Sequence, residues 1–321
     1  MNNQSILFHE DLSDVYQGIM RTDKPVYPVF HSIFQGMQKR FWVPETISMS
    51  TDKAKFKTYP KGIQELITAN IGWQVCADSD QEANLKYLSE HCNNIEVRRC
   101  IGMQAMEEDN HGGSYQYIIN SMYDNPTAML DELEENTSVQ VRRDLTTNTG
   151  VLDTQSLHPA IKMLGLEGIS FTSSFLTTLA ASKHYPLPGT ETQIVKIAAD
   201  EAGHLVLWSN IIRILLGQKL VTASSIEGYL SYLVRVELDW FMYLSTLYPL
   251  PELDFRRVEP FLLWKRDQIL RGVGITSPTK VEPNSIAEWY QSTIKINNRS
   301  TEGQAGDNAA YVTGGLADDW G

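Results

Sequence analysis

The chain has 321 residues, of which 42% are hydrophobic and 21% charged, the balance of an ordinary globular protein. Acidic residues outnumber basic ones by 39 to 27, and the net charge of −12 argues against a nucleic-acid partner, which needs a basic face. No apolar run approaches the roughly 18 residues that span a bilayer, and no signal peptide is visible. Three cysteines without a CxxC pair exclude a disulfide scaffold and lead us to expect a reducing cytoplasm.

Apolar residues recur at helical spacing in six long segments, whereas alternating strand patterns are scarce. In chain order the predicted helices cover residues 61–91, 95–123, 159–183, 191–216, 224–247 and 259–272. Several stop at or just before a helix breaker, as at Pro186, Gly217 and Pro249. Helices of this length pack most simply side by side, so the sequence predicts an all-α bundle over residues 1–296.

The C-terminal segment has a different composition. Residues 297–321 are rich in Gly, Ala and Asp and lack an apolar helical face, which predicts a flexible tail. Near its end Trp320 follows two acidic residues. Composition alone is compatible with a frayed terminus, but a short docking peptide anchored by Trp320 is the alternative.

The pattern Glu-x-x-His occurs at Glu108–His111 and again at Glu201–His204. Positions i and i+3 share one face of a helix, so the carboxylate and the imidazole of each pair can bind a metal together. Taken alone, each pair is better explained by a solvated glutamate beside a hydrogen-bonded histidine.

The context of the two pairs favours metal binding. Each is preceded at a similar distance by an acid on the previous long helix, and Glu167 and Glu201 lie in strongly apolar stretches. Buried carboxylates are costly without a cation. One carboxylate from each of two helices, with Glu-x-x-His from two others, is the ligand pattern of di-iron or di-manganese carboxylate bundles. We therefore predict a dimetal site formed by Asp78, Glu108, His111, Glu167, Glu201 and His204.

Neighbouring residues extend this site. Tyr115, four residues after His111, shares its helix face and is either a core residue or a one-electron donor to the metals. Asp200, next to Glu201, is placed to accept a hydrogen bond from a ligating imidazole. Apolar residues at helical spacing are either plain core or a dry wall that protects a radical: Phe171, Phe175 and Ile197.

Five ordered stretches between residues 41 and 205 carry a family resemblance. The chain resembles the small, radical-generating (β) subunit of class I ribonucleotide reductase, a ferritin-like protein. The matching stretches are RFWVPETI at 40–47, WQVCADSDQ at 73–81, NNIEVRRCIGMQAMEEDNHGGSYQYII at 93–119, LEGISFTSSF at 166–175 and IVKIAADEAGHL at 194–205.

The resemblance implies a role for each matching position. One metal, iron or alternatively manganese, would be held by Asp78, Glu108 and His111, and the other by Glu167, Glu201 and His204. Tyr115 would be the stable tyrosyl radical, in a pocket of Phe171, Phe175 and Ile197.

The resemblance also implies a route and partners. Trp42 would be the next redox-active aromatic, linked through Asp200 to His111, and Tyr311 would relay the radical onward. The chain would form a homodimer, and its C-terminus would dock into a separate large (α) subunit that binds the nucleotide.

The chain departs from the family pattern near the second ligand pair. Gly112 and Gly113 are expected to interrupt the helix before Tyr115. Asp80 lies on the opposite face from the ligands and is not expected to bind metal. Glu107 and Asp109 are expected to be solvated.

Two other functions are compatible with parts of the pattern. One is a different dimetal-carboxylate oxidase or monooxygenase, which would need a substrate cavity beside the metals rather than an aromatic relay and a docking tail. The other is a non-enzymatic helical interaction protein, which would leave the buried acids unexplained.

Overall fold

The computed structural model describes residues 6–21, 23–147, 157–277 and 279–301. Within them the α-helices are, in chain order, α1 Val29–Arg40, α2 Ser50–Phe56, α3 Lys61–His91, α4 Ile95–Met122, α5 Pro126–Glu135, α6 Thr137–Thr146, α7 Pro159–Gly165, α8 Phe171–His184, α9 Pro188–Gly217, α10 Ala223–Leu247, α11 Phe255–Gly272 and α12 Ser285–Thr301. An isolated antiparallel bridge pairs Phe8 with Cys92. The predicted all-α bundle is confirmed.

Four long helices surround the centre of the molecule. The helices α3 and α4 run along each other, α8 packs against α3 and α9, and α9 also contacts α4. Their facing sides contribute to one continuous apolar core, which includes Trp73, Phe171 and Trp208. This arrangement brings the middle of α3, α4 and α9 and the segment that precedes α8 to one point, where the polar side chains described below lie.

Side chains fix the helix ends that position these four elements. The Asn94 carboxamide accepts from the backbone N–H groups of Glu96 and Val97 at the start of α4. The Asp52 carboxylate accepts from the backbone N–H groups of Gly189 and Thr190 at the start of α9. Asp52 thereby satisfies donors that have no partner within the helix.

The predicted helix 159–183 is interrupted by one π-helical turn. Residues Leu166–Ser170 form this turn between α7 and α8. The Ser170 carbonyl at the end of this turn accepts a hydrogen bond from Arg142 Nη2 at 3.2 Å. Single π turns often occur at functional sites, and this one carries Glu167.

Other boundaries differ from those predicted. Gly112 and Gly113 do not interrupt α4, which is continuous through both positions, so that expectation is wrong; the intrahelical hydrogen bonds of a long packed helix outweigh a cost of about 1 kcal/mol for each glycine. The helix α12 continues to Thr301, past the predicted start of the tail. Tyr311 and Trp320 lie outside the described residues.

Within the part of the chain that the structure describes, no helix is both long and apolar enough to cross a membrane.

Candidate metal centre

All six predicted ligands converge at the centre of the bundle. Asp78 comes from α3, Glu108 and His111 from α4, Glu167 from the π turn, and Glu201 and His204 from α9. Each of the six side chains is at most 4% exposed. Two groups can each hold an ion, because one ligand atom from every member lies within 4.8 Å of the others: Asp78, Glu108 and His111 form one, and Glu108, Glu167, Glu201 and His204 form the other.

Two of the glutamates lie between the two imidazoles. The Nδ1 atom of His111 is 3.2 Å from Glu108 Oε2 and 3.2 Å from Glu201 Oε1. The Nδ1 atom of His204 is 3.2 Å from Glu108 Oε1 and 2.7 Å from Glu201 Oε2. Each carboxylate therefore directs one oxygen to each imidazole, the arrangement that a ligand bridging two ions requires.

Asp78 is buried without a hydrogen-bond partner. Among the described residues, neither of its carboxylate oxygens meets a donor. Burial, together with the charge of Glu108, raises its pKa well above the usual range, and burial with the charge of Glu201 does the same for Glu167. Orphaned carboxylate oxygens are rare in protein interiors and call for a cation or an ion-bound water.

The imidazoles compensate part of this charge. Burial disfavours their protonated forms, but hydrogen bonds and charges from the surrounding carboxylates raise the pKa of both His111 and His204 well above the usual value. Burial likewise opposes ionisation of Glu201, yet the charge of His204 and several hydrogen bonds lower the Glu201 pKa. Without metal, protons therefore balance the negative charge of the cluster.

A hydrogen-bonded chain connects His111 to the edge of the bundle. The Nε2 atom of His111 lies 3.3 Å from Asp200 Oδ2, and the same oxygen accepts from the Trp42 indole at 2.7 Å. Trp42 keeps 8% of its surface exposed, and its neighbours Phe41 and Val43 are each 45% exposed. The chain thus runs from the centre of the bundle almost to the surface.

Glu107 is not solvated as predicted; it is buried and lies 2.9 Å from His204 Nε2 through its Oε2 atom. The prediction is wrong because position 107 faces α9, a packing partner that one sequence does not disclose. Asp109, two residues on, is exposed as expected. Asp80 is also directed away from the cluster, in an ion pair with Arg143.

Gln104 is a further residue at the site that sequence reasoning missed. Its Nε2 donates to Glu108 Oε1 at 2.8 Å and to Glu167 Oε1 at 2.7 Å, and its Oε1 accepts from the Trp208 indole at 2.9 Å. The only indication in the sequence is that Gln104 lies one helical turn before Glu108. A single glutamine at that spacing does not predict a place in a metal site. Its amide holds two of the cluster's carboxylates in fixed positions.

Tyr115 is fully buried beside the cluster. Its Oη accepts from the Gln74 amide at 3.2 Å. Burial, with the charge of Asp78 next in size, raises the Tyr115 pKa well above its usual value, so the phenol keeps its proton. The predicted apolar wall is buried as well: Phe171 stacks on Phe175 with ring centroids 6.0 Å apart, and Ile197 is fully enclosed.

A small cavity reaches the cluster from the side of α11 and α12. Its lining includes Glu167, Glu201, Phe175, Lys265 and Tyr290, and its volume is about 90 Å³. That is well below the roughly 300 Å³ at which ligand pockets begin. The cavity admits small molecules but not a bulky substrate.

Comparison with known proteins agrees with this architecture. The model of the family "Ribonucleotide reductase, small chain" matches residues 22–284. The ribonucleoside-diphosphate reductase subunit beta of Buchnera aphidicola (Baizongia pistaciae) is 24% identical, over 92% of this chain and 89% of its own length. The corresponding subunit of Halalkalibacterium halodurans is 23% identical, over 85% of this chain and 82% of its own.

Solved structures share the fold. The ribonucleotide reductase R2 subunit from Clostridium botulinum superimposes with a TM-score of 0.79 at 22% identity, covering 86% of this chain and 91% of its own. The dimanganese(II) NrdF of Streptococcus sanguinis gives 0.68 at 17% identity, covering 86% and 99%. These likenesses extend over the long-helix bundle and support a ferritin-like fold.

Proposed function

Because the chain belongs to the ribonucleotide reductase small-chain family, we propose that it generates a radical on Tyr115 from a dimetal centre and passes it to a large subunit. It is a class I small (beta) subunit of ribonucleoside-diphosphate reductase, an oxidoreductase with a dimetal-carboxylate type of site. The observation that carries the proposal is a buried cluster of four carboxylates and two imidazoles beside a fully buried phenol.

The residues present fit a pair of metal ions. Asp78, Glu108 and His111 would hold one ion, and Glu167, Glu201 and His204 the other. The oxygens of Asp78, which have no hydrogen-bond partner among the described residues, support this assignment, as does the raised pKa of Asp78 and Glu167. We propose iron, with manganese as the alternative, since both suit a site rich in carboxylates. When bound and oxidised, the metals supply the one-electron oxidant for the phenol.

The surroundings of Tyr115 suit a stable radical. The phenol is closed off from water and packed in the core, with Phe171, Phe175 and Ile197 proposed as the apolar wall of its pocket. The Gln74 amide donates to its Oη, which holds the ring in one orientation. Oxidation of the phenol releases the Oη proton, and Asp78 is proposed as the group that receives it, since this carboxylate has the largest electrostatic effect on Tyr115.

The route outward is proposed to follow the hydrogen-bonded chain. Trp42 donates to Asp200, which also contacts His111, so the indole and the cluster share one carboxylate oxygen. This shared oxygen can take up or return a proton while an electron crosses between the two groups. Tyr311 is proposed as the later relay, in the segment outside the described residues.

The partners are proposed from the family. A homodimer of this chain would present its tails, residues 297–321, to the large (alpha) subunit, with Trp320 as the anchoring side chain. We expect neither a nucleic-acid partner nor a membrane, and we propose a cytoplasmic location. The three cysteines are unpaired in the structure.

The other dimetal oxidases are a weaker fit. A monooxygenase or desaturase must seat its substrate next to the metals, and the cavity that reaches Glu167 and Glu201 encloses only about 90 Å³. Such an enzyme would use the contact between Asp200 and His111 to orient a ligand, but it has no need of the extension of this contact to Trp42 near the surface. Both observations favour the reductase subunit.

The proposal is tested by metal loading followed by turnover. The chain is titrated anaerobically with Fe(II) or Mn(II), bound metal is counted by plasma mass spectrometry, and nucleotide reduction is measured with the large subunit from the same genome. We expect two ions per chain, and we expect Glu201→Ala to lose both metal and turnover. Asp109→Asn is the matched control, since this acid is exposed on the same helix as Glu108. Two ions without any reduction of nucleotides would favour a different oxidase.

A further inference from the structure

The two Glu-x-x-His pairs share a feature that extends the motif by one residue. In both, an acid directly precedes the glutamate: Glu107 before Glu108, and Asp200 before Glu201. Each of these acids contacts the histidine of the opposite pair. Asp200 Oδ2 lies 3.3 Å from His111 Nε2, and Glu107 Oε2 lies 2.9 Å from His204 Nε2.

The two contacts are equivalent in chemistry. Each involves the ring nitrogen that is directed away from the cluster, while Nδ1 faces Glu108 and Glu201. Both acids are buried, each at 2% exposure. A carboxylate that accepts the Nε2 proton fixes the tautomer, leaves the Nδ1 lone pair free for a metal, and makes the ring a stronger ligand.

We propose that Glu107 is a positioning residue for the second metal ion, orienting His204 as Asp200 orients His111. This inference rests on the proposed dimetal function. The two acids differ in what lies beyond them. Asp200 also accepts from Trp42, whereas the other oxygen of Glu107 has no hydrogen-bond partner among the described residues. Glu107 therefore acts on one metal only, and Asp200 acts on the other metal and on the route to the surface.

The consequence is a site-specific effect on affinity. Loss of such an outer partner of a ligating histidine typically weakens metal binding by about 10- to 100-fold. Glu107→Gln keeps the shape of the side chain and an accepting oxygen but removes the charge, so we expect the metal affinity of one of the two sites to fall by about 10-fold. Glu107→Ala also removes the acceptor, and we expect the affinity of that same site to fall by about 100-fold.

The test is an anaerobic Mn(II) titration of the full chain, with a competing chelator and free Mn(II) read by EPR. Wild-type protein should bind two ions. Glu107→Gln should weaken one of them and leave the affinity of the other within about threefold. The circular dichroism spectrum and the single cooperative unfolding transition of the metal-free protein should be retained, and a merely structural defect would not spare the other site in this way. Asp200→Asn should weaken one site to a similar extent, and the Glu107→Gln/Asp200→Asn double variant should weaken both. Asp109→Asn is the matched control and should match the wild type.

Three outcomes would overturn the inference. Unchanged affinity of Glu107→Gln at both sites would show that the contact is dispensable. Complete loss of one ion at saturating Mn(II), as in Glu201→Ala, would make Glu107 a ligand instead. An equal loss at both sites would indicate a general change in charge. Wild-type protein that binds fewer than two ions would contradict the proposed function itself, so the two failures are distinguishable.

Discussion

A single oxygen of Asp200 receives both the Trp42 indole and the His111 ring. The same atom therefore joins the proposed redox-active aromatic to a proposed metal ligand in one hydrogen-bonded network. The residues on either side of Trp42 in the sequence, Phe41 and Val43, are exposed. In the proposed route, Trp42 is needed to pass the radical to the large subunit but not to form it on Tyr115.

Replacing Trp42 with Phe tests this separation. We expect Trp42→Phe to bind two metals and to form the Tyr115 radical, because neither needs the indole, but to lose nucleotide reduction with the large subunit. Loss of one buried hydrogen bond to a charged group should cost roughly 1.5–3 kcal/mol of stability. EPR and turnover are measured on the same sample. Full turnover by the variant would remove Trp42 from the route.

The residues at the site differ in how far the sequence predicts them. The two Glu-x-x-His pairs are recognisable because spacing along a helix sets which side chains share a face. Asp78 and Glu167 are recognisable only because each precedes a pair at a similar distance on the previous long helix. Gln104 and Glu107 are not, because their partners His204, Glu167 and Trp208 lie on other helices. An acidic residue in a helix is usually solvated, and only the packing of α9 on α4 makes Glu107 an exception.

At the scale of elements, the π turn that carries Glu167 rests on a buried ion pair. Arg142 donates to the Ser170 carbonyl at the end of this turn and to Glu237 Oε2 at 2.7 Å. Its guanidinium lies 3.6 Å from the centroid of the Trp73 ring. Both charged side chains are almost fully buried, so each depends on the other.

Arg142→Met should therefore be strongly destabilising. It leaves Glu237 buried without its counter-charge, which costs about 3–5 kcal/mol, and urea unfolding of the metal-free protein measures the change. The double variant Arg142→Met/Glu237→Leu should recover most of the loss, because it removes the uncompensated charge. Arg143→Met is the control: its partially exposed pair with Asp80 should be worth no more than about 1 kcal/mol. Equal losses for the two arginine variants would contradict this reasoning.

The long helices are predictable from sequence because their apolar periodicity persists for many turns. The shorter α1, α2, α5 and α6 offer too few turns for that signal. The π turn escapes prediction because one extra residue in a turn changes the spacing of the pattern only slightly. The helix α11 begins at Phe255, four residues before the predicted start, because Asp254 caps it. It continues through Pro260 in its second turn although a proline there removes one i→i−4 hydrogen bond.

The proposed docking tail is tested by truncation. Deleting residues 312–321 should leave the metal centre and the radical intact, because no ligand lies there, but should abolish nucleotide reduction. A synthetic peptide of residues 312–321 should inhibit the intact pair of subunits, while a peptide with Trp320→Ala should not. Affinity should be modest, since ordering a flexible segment costs entropy. Full turnover by the truncated chain would contradict the docking role.

At the scale of the whole molecule, the cluster links metal content to stability. Without metal, the raised pKa values of His111 and His204 mean that the folded protein holds protons that the unfolded chain releases. That contribution to stability is complete below the unfolded pKa near 6.5 and declines as pH rises toward the folded pKa. The raised pKa values of Asp78 and Glu167 act in the same direction. The lowered pKa of Glu201 affects the stability of the folded protein only at acidic pH.

The metal-loaded protein should behave oppositely, since bound ions require deprotonated imidazoles. The difference in melting temperature between the metal-loaded and the metal-free protein should therefore increase from pH 6 to pH 8. For each proton that metal binding displaces, the difference in unfolding free energy between the two forms changes by about 1.4 kcal/mol per pH unit. Calorimetry of both forms at several pH values measures the difference, and contributions from groups elsewhere cancel. A difference that stays constant or shrinks toward pH 8 would contradict the assignment of the imidazoles.

We propose that a dimetal centre formed by these six side chains oxidises Tyr115. This step can be observed by EPR of the metal-loaded protein after activation with oxygen, using protein produced with β-deuterated tyrosine. We expect a tyrosyl signal whose hyperfine structure narrows on deuteration, and which is absent in Tyr115→Phe although that variant still binds two metals. A tyrosyl signal that persists in Tyr115→Phe, or an active wild-type protein without any such signal, would contradict the account.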